Sequence, residues 1–406
     1  MRLLHLNDHL NWVGGIETYV LSTIPKLRER GFQQAAVFGK GDASHVEEAW
    51  EVPAVSSPRP SDRAVAAAEV DRIIDEFRPD LAQVHNLYNV GAIDACLQRV
   101  PTVVYVHDFR YVCPASSFYF RRPNVICERS CSAACFVLGP LKRCLTPRTP
   151  LNLWYYQRVQ WMRKNAHRFE AIIAISGYVK KRMVASGFPS EKIHVVPYFC
   201  PLPPVAAPPA PPERPCILFM GRMAKYKGFE QFVHVLSRLP ASVSGVMVGN
   251  TDGAVGDGIV RLAESLGCSD RLKLHGWADR SEIRDLMSKM SVVTFPSVCP
   301  ETLGLVGMEA MSSGVPVVGF DVGGTSEWLV NGETGFSVPV NDIDAFAKHI
   351  HQIVESTDLR QQLGQNGINL IRDKFAPEYH LEKLLSLYTG AAGSARGTAS
   401  TIQAGQ

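Results

Sequence analysis

Pro201-Leu202-Pro203-Pro204-Val205-Ala206-Ala207-Pro208-Pro209-Ala210-Pro211-Pro212-Glu213-Arg214-Pro215 divides the chain. Eight prolines in fifteen residues fix φ and remove backbone donors, so the stretch forms neither a helix nor an interior strand. It reads as a semi-rigid, polyproline-like linker between a first domain, 1–200, and a second, 216–375; a surface loop within one domain is the alternative. On both sides of it, short apolar runs alternate with helix-period segments. Before it the runs are Arg2–Leu6, Ala35–Phe38, Leu81–Val84, Thr102–Val106 and Ala171–Ile175. After it they are Cys216–Met220, Val243–Val248, Leu272–His275, Val292–Phe295 and Pro316–Val318. Between the first two runs, Ile16, Tyr19, Val20, Ile24 and Leu27 recur at helical spacing, and Gly31 marks a stop. Strand alternating with helix implies a parallel sheet covered on both faces in each half. The expected architecture is α/β, two doubly wound Rossmann-like domains facing each other across a cleft. Ligands of such sheets sit beyond the carboxyl ends of the strands, so the residues just after the strands carry the information.

The bulk composition sets few limits. The 406 residues are 46% hydrophobic and 20% charged, ordinary for a globular protein with a full core. A formal charge of +3 gives no reason to expect nucleic acid as a partner. The charge is uneven, with 25 Lys/Arg against 18 Asp/Glu in residues 1–200 and 17 against 21 in 201–406. No apolar run approaches the roughly 20 residues of a membrane span. The opening run stops at Asn7-Asp8-His9, short of the about 7–15 apolar residues of a secretion signal. A cytoplasmic location with reduced cysteines is the expectation. The stretch 390–406 is small and polar and reads as a disordered tail.

Two segments hold candidate chemistry. Gly221-Arg222-Met223-Ala224-Lys225-Tyr226-Lys227-Gly228 follows the run Cys216–Met220 and opens a helix. A helix N-terminus offers unpaired N–H groups, Arg222 a fork of donors and Lys227 a point charge, which together suit a diphosphate without a metal ion. Two solvated basic side chains are the plain alternative. Pro300-Glu301-Thr302-Leu303-Gly304-Leu305-Val306-Gly307-Met308-Glu309-Ala310 follows the run Val292–Phe295. On a helix Glu301 and Glu309 would lie roughly 12 Å apart along the axis and about 80° apart around it, too far to share a proton and well placed for two parts of one extended ligand. Glu309, set among Leu305, Val306 and Met308, would be buried and in need of a partner such as a ligand hydroxyl, unless it is a surface acid of an amphipathic helix.

These segments, in this order, resemble the family 4 retaining glycosyltransferases of the GT-B fold, and the resemblance runs to about Leu387. Gly14-Gly15-Ile16-Glu17 is similar to that family's glycine turn and Val106-His107-Asp108 to its histidine motif. Ala174-Ile175-Ser176 and Val195-Val196-Pro197 match the end of its first domain. Gly221-Arg222 with Lys227-Gly228 matches its phosphate site, and the pair Glu301 and Glu309 its most specific signature. Gly323-Gly324 and Asn331-Gly332-Glu333-Thr334-Gly335 complete the pattern. The resemblance implies transfer of a sugar, with retention, from a nucleotide diphosphate sugar (a UDP- or GDP-sugar) to a glycan or polyprenyl-linked acceptor, without a catalytic metal. His107 and Glu301 are then the catalytic residues. Gly14 and Gly15 approach the donor, Arg222 and Lys227 neutralise the leaving diphosphate, the Leu303-Gly304-Leu305 turn lies against the donor, and Glu309 takes the ribose. Trp277 is placed for the base, or else belongs to the core or rim. Residues 376–389 would form a helix returning to the first domain. A nucleotide-sugar epimerase, a phosphorylase or a non-catalytic sugar-nucleotide binder are the competing functions; the last should have lost His107 or Glu301.

Two features lie outside that pattern. Cys113, Cys127, Cys131, Cys135 and Cys144 crowd an insertion near 113–144. Thiols in a reduced compartment suggest a structural zinc, with an iron–sulfur cluster, a disulfide or unligated thiols as alternatives. The stretch Lys142–Arg168 carries Lys142, Arg143, Arg148, Arg158, Arg163, Lys164 and Arg168 and no acid, and Trp154, Tyr155, Tyr156 and Trp161 lie within it. It reads either as a helix lying on an anionic membrane, which would make the protein peripheral on the inner face, or as a core helix with a basic outer side.

Overall fold

The computed structural model describes residues 1–11, 14–145 and 149–403, without the side chains of Thr149, Arg280 and 394–403. The chain forms two compact units. Unit 1 comprises Met1–Pro123, Cys127–Tyr198 and His380–Gln406; unit 2 comprises Asn124–Ile126 and Phe199–Tyr379.

The sheet of unit 1 contains β1 (Arg2–Leu10), β2 (Gln33–Gly41), β3 (Glu48–Glu51), β4 (Leu81–Val84), β5 (Thr102–Val106), β6 (Ala171–Ala174) and β7 (Ile193–Val195). Their order is β3-β2-β1-β4-β5-β6-β7, and every pairing is parallel. The sheet of unit 2 contains β8 (Cys216–Met220), β9 (Ser244–Val248), β10 (Leu272–Gly276), β11 (Val292–Phe295), β12 (Val317–Phe320) and β13 (Gly335–Val338), in the order β10-β9-β8-β11-β12-β13, again all parallel. The strand cores Val103–Val106, Val292–Val293 and Val317–Val318 are buried, as apolar runs covered by helices on both faces must be. Each sheet is doubly wound. Its order reverses between β1 and β4 in unit 1 and between β8 and β11 in unit 2, so a ligand crevice is expected beside the ends of those strands.

The proline-rich segment carries no helix or strand. It belongs to unit 2, where the Val205 N–H donates to Ser312 O at 2.8 Å and Arg360 Nη1 to Pro209 O at 2.9 Å. One expectation needs correcting. The stretch after Gly390, read as a disordered tail, continues the helix Pro377–Gln403. Ala391, Ala392, Ala395 and Ala399 favour helix there, against Gly393 and Gly397. Residues 404–406 lie outside the described ones.

Candidate active site

In unit 2, β8 and β11 are neighbours, so the loops that follow them leave side by side. After β8 the chain makes a short turn, Lys225–Lys227, and enters the helix Phe229–Arg238 through Gly228 at φ +82°. A Cβ on Gly228 would stand 1.8 Å from Pro296 O, so only glycine allows the two loops to come this close. The approach puts Lys227 Nζ 2.6 Å from Glu301 Oε1, and Ser297 Oγ donates to the same oxygen at 2.6 Å. Gly323 packs against Glu301 from the other side: at φ +64°, any Cβ there would lie 2.1 Å from Glu301 O. The Gly324 N–H donates to that oxygen at 2.7 Å. Burial disfavours the Lys227 ammonium, but the Glu301 carboxylate outweighs it and holds the pKa above the ordinary lysine value. Arg222 is exposed, 6.0 Å from the Tyr226 ring.

Glu309 lies in the helix Leu305–Ser312 and is buried. Gly307 of that helix sits against Trp328, where a Cβ would meet the ring at 2.1 Å. Two residues on, about 200° around the axis, Glu309 faces away from Trp328. Leu303 is buried and its carbonyl accepts from Trp328 Nε1 at 2.6 Å; Gly304 caps the helix and Leu305 opens it. Trp277, just past β10, is 68% exposed, so it is not a core residue.

In unit 1, Gly14 is the extended N-cap of the helix Gly15–Arg28 and its carbonyl accepts from the Thr18 N–H at 2.9 Å. His107 directly follows β5 and is 1% exposed. Both its ring nitrogens are engaged by protein. Nδ1 pairs with Tyr198 Oη, and Nε2 stands 2.8 Å from His85 Nδ1. His85 Nε2 continues to His5 Nδ1 at 3.1 Å, and His5 Nε2 to Gln34 Oε1 at 3.0 Å. Gln34 fixes the direction of the chain, because its Nε2 donates to Ile24 O at 2.8 Å and its oxygen must accept. Each histidine is then the neutral Nε2–H tautomer, and Tyr198 donates at the end. Burial keeps them neutral, lowering His5 to about 4, His107 to about 3 and His85 well below 6.5. Tyr198 also stacks on Tyr19 at 4.1 Å, and Tyr19 Oη bonds His380 Nε2 at 2.9 Å.

Beside His107, a second cluster joins the ends of β1, β4 and β5. Arg110 pairs with Asp8 and with Asp108, the latter at 3.0 Å. Arg158 Nη2 donates to Arg110 O at 2.8 Å, while its buried Nη1 has no hydrogen-bond partner. Both guanidiniums lie over the Tyr88 ring, at 4.6 and 4.9 Å. Burial raises Asp8 to about 6 against the pull of Arg110. The sequence reading missed this cluster and the histidine chain. The signal available was positional, since Asp8, His85-Asn86 and Asp108 all stand at or just after the ends of strands.

The basic stretch divides on folding. Arg158, expected among the outward charges, is 2% exposed, because the helix Thr149–Asn165 turns it onto Tyr88. Arg168 pairs with Asp94 at 2.6 Å, Arg143, Arg163 and Lys164 are exposed, and Arg148 lies outside the described residues. Trp154, Tyr155, Tyr156 and Trp161 are half-buried. Leu153 of that helix is exposed, and the preceding helix Cys135–Leu141 exposes more, with Val137 70% and Leu141 65% exposed. The five clustered cysteines line one cavity of unit 1. Among the described residues no three His, Cys, Asp or Glu side chains are set to hold a metal ion as they stand. No helix of the described residues is long and apolar enough to cross a membrane.

Comparison with known proteins bears on the family and the fold. The family described as Glycosyltransferase Family 4 matches residues 13–201, and that described as Glycosyl transferases group 1 matches residues 205–370. The lipopolysaccharide core biosynthesis glycosyltransferase LpsE of Rhizobium meliloti is 31% identical over 177 residues, 44% of this chain and 50% of that protein. The alpha-D-kanosaminyltransferase of Streptomyces kanamyceticus is 27% identical over 43% of this chain and 46% of that protein. The chain thus spans about half the length of the curated relatives it matches. In fold, it is similar to a glycosyltransferase from Rickettsia africae (TM-score 0.73, 17% identity, 96% of this chain and 98% of that one). It is also similar to Anabaena HepE, solved in complex with UDP and glucose (TM-score 0.68, 19% identity, 98% and 100%). With both of its units matched in this order, the chain belongs to glycosyltransferase family 4 and has the GT-B fold.

Proposed function

We propose that this protein transfers a hexose-type sugar, with retention of anomeric configuration, from a UDP- or GDP-sugar to a glycan or lipid-linked acceptor in surface polysaccharide or glycolipid assembly. The observation that carries the reading is the Lys227–Glu301–Ser297 cluster at the switch point of unit 2. Glu301 holds the Lys227 charge. A diphosphate offers Lys227 a stronger anionic partner, and Arg222 stands exposed in the same loop to share it. Glu301, released, turns to the sugar hydroxyls and faces the anomeric carbon. As the glycosidic bond breaks, the sugar gains oxocarbenium character and charge grows on the phosphate, so a fixed cation there favours the transition state over the ground state. Glu309 takes the ribose, Trp277 the base, the Gly304 turn the donor, and Gly14 and Gly15 admit it near unit 1. His107 acts as a neutral group, its tautomer set by the chain to Gln34. The cluster of Asp8, Asp108, Arg110 and Arg158 receives the acceptor. The curated relative LpsE, named for lipopolysaccharide core biosynthesis, supports the substrate class.

Since Arg222 and Lys227 supply the charge, catalysis requires no metal. With UDP-glucose or GDP-mannose and a lipid-linked acceptor, turnover should persist in excess EDTA, and NMR of the product should show the donor's anomeric configuration. A strict need for magnesium or manganese, or inversion, contradicts the reading.

The proposal includes attachment to the cytoplasmic membrane, supported by Val137 and Leu141, exposed close to Arg143 in sequence. Each basic residue near an anionic surface contributes about 1 kcal/mol. Co-sedimentation with phosphatidylglycerol vesicles should be strong at low salt and weaker at physiological salt, and the double variant Val137→Asp, Leu141→Asp should abolish it. Equal sedimentation with neutral and anionic vesicles would leave the patch without this role.

A further inference from the structure

The sugar-transfer reading above gives Lys227 to the diphosphate and Glu301 to the sugar. On that reading, we propose that Ser297 is a positioning residue: it keeps hold of Glu301 Oε1 when a diphosphate draws Lys227 away.

Glu301 is buried, and a buried carboxylate needs donors. Lys227 Nζ and Ser297 Oγ each stand 2.6 Å from its Oε1. For the hydroxyl, that is the length of a charge-assisted O–H···O⁻ bond. Both bonds fall on the same oxygen, which leaves Oε2 as the one Glu301 can offer a sugar hydroxyl. The two donors differ in how readily they leave. Lys227 carries its ammonium on a flexible four-carbon stem, and its side chain is 24% exposed. Ser297 is 3% exposed, and a single side-chain torsion places its oxygen.

The loop that carries Ser297 is also held. Pro296 O lies against Gly228, where any Cβ would stand 1.8 Å away. The Val298 N–H donates to Tyr226 O at 3.0 Å. At the far end, Glu301 O accepts from the Gly324 N–H at 2.7 Å. The backbone from Pro296 to Glu301 is thus pinned at three points, and the hydroxyl reaches the carboxylate four residues on with no movement of the chain. If a diphosphate took Lys227 and nothing else bonded Oε1, a buried carboxylate would be left unpaired, and nucleotide binding would weaken by that cost. Ser297 removes most of it. It also fixes where Glu301 points, because the carboxylate keeps one anchored oxygen instead of following Lys227. A neutral hydroxyl suits this role better than a second cation, which would compete for the diphosphate and cancel the negative charge turned to the sugar.

The test is a double-variant cycle, read by calorimetric titration of UDP and of GDP into the full chain, so that neither a sugar nor an acceptor is needed. Glu301→Ala should bind nucleotide more tightly than the wild type, because Lys227 no longer has a partner to leave. Ser297→Ala should bind about 10-fold more weakly, a coupling ordinary for side chains in one hydrogen-bond network. The double variant Ser297→Ala, Glu301→Ala should match Glu301→Ala alone, because Ser297 acts only through the carboxylate. Ser297→Ala leaves Lys227 on Glu301, so its fold should hold, and melting temperatures check this. Equal affinity in Ser297→Ala and the wild type would overturn the proposal. So would the same loss from Ser297→Ala with and without Glu301, which would make Ser297 a packing residue. Both results leave the sugar-transfer reading standing. No binding of either nucleotide by the wild type, or no loss in Lys227→Ala, would remove that reading and the proposal with it.

Discussion

Glu301→Gln should lower kcat by about 100-fold to 1000-fold, the loss seen when one fixed charge or donor is removed from a developing transition-state charge. The substitution keeps size and the Ser297 hydrogen bond, so the fold should hold and the effect should be electrostatic. It removes the carboxylate that holds the Lys227 pKa up and that is proposed to face positive charge on the sugar. Lys227→Ala removes the cation proposed to meet the leaving diphosphate and should reduce kcat/KM by a similar factor. Because the two side chains share one hydrogen bond of 2.6 Å, the double variant should lose less than the product of the two effects. Steady-state kinetics with melting temperatures alongside decides the matter. Full activity of Glu301→Gln would remove Glu301 from the reaction.

Much of this site was legible because its residues follow strands that read clearly. Leu81–Val84, Thr102–Val106, Cys216–Met220 and Val292–Phe295 are all strands with the limits their apolar runs gave. Gly228 and Gly323 owe their place to backbone approach, which leaves a mark in sequence because no other residue fits. β3 escaped because Glu48-Ala-Trp-Glu51 is a polar edge strand, paired on one side only, and carries no apolar run. The chain from Tyr198 through His107, His85 and His5 to Gln34 escaped for a different reason. Its members are up to 193 positions apart in sequence, and nothing local distinguishes a buried, paired histidine from an exposed one. The burial of Arg158 likewise depends on Tyr88 and the carbonyl of Arg110, neither of which is its sequence neighbour.

The same chain makes the fold sensitive to acid. His5 and His380 are held near 4, His107 near 3, and His85 well below 6.5, chiefly by burial. Unfolded histidines take up protons near 6.5, so below that pH the unfolded state binds more protons than the native one. Stability is therefore full above 6.5 and lost as pH falls toward 4. At about 1.4 kcal/mol per pH unit, His5 and His380 would each withdraw roughly 3 kcal/mol by pH 4. Asp8, raised to about 6, works in the opposite sense over 6 to 3.8 and offsets about one histidine. The net expectation is a melting temperature that is flat from pH 8 to 7 and falls steeply between 6.5 and 4.5. His85→Asn, which removes one proton site, should lessen that slope. A flat profile down to pH 4.5 would mean that these histidines are not buried as described.

The claim on which the rest depends is that the loops after β8 and β11 hold a nucleoside diphosphate. Calorimetric titration of UDP and of GDP into the wild-type chain, Lys227→Ala and Glu309→Ala tests it most directly. The account predicts that the wild type binds at least one of the two nucleotides. It also predicts that each variant binds about 10-fold to 100-fold more weakly, the worth of one charge-assisted hydrogen bond of roughly 1.5–3 kcal/mol. Absence of heat with both nucleotides, or equal affinity in the wild type and both variants, would contradict it.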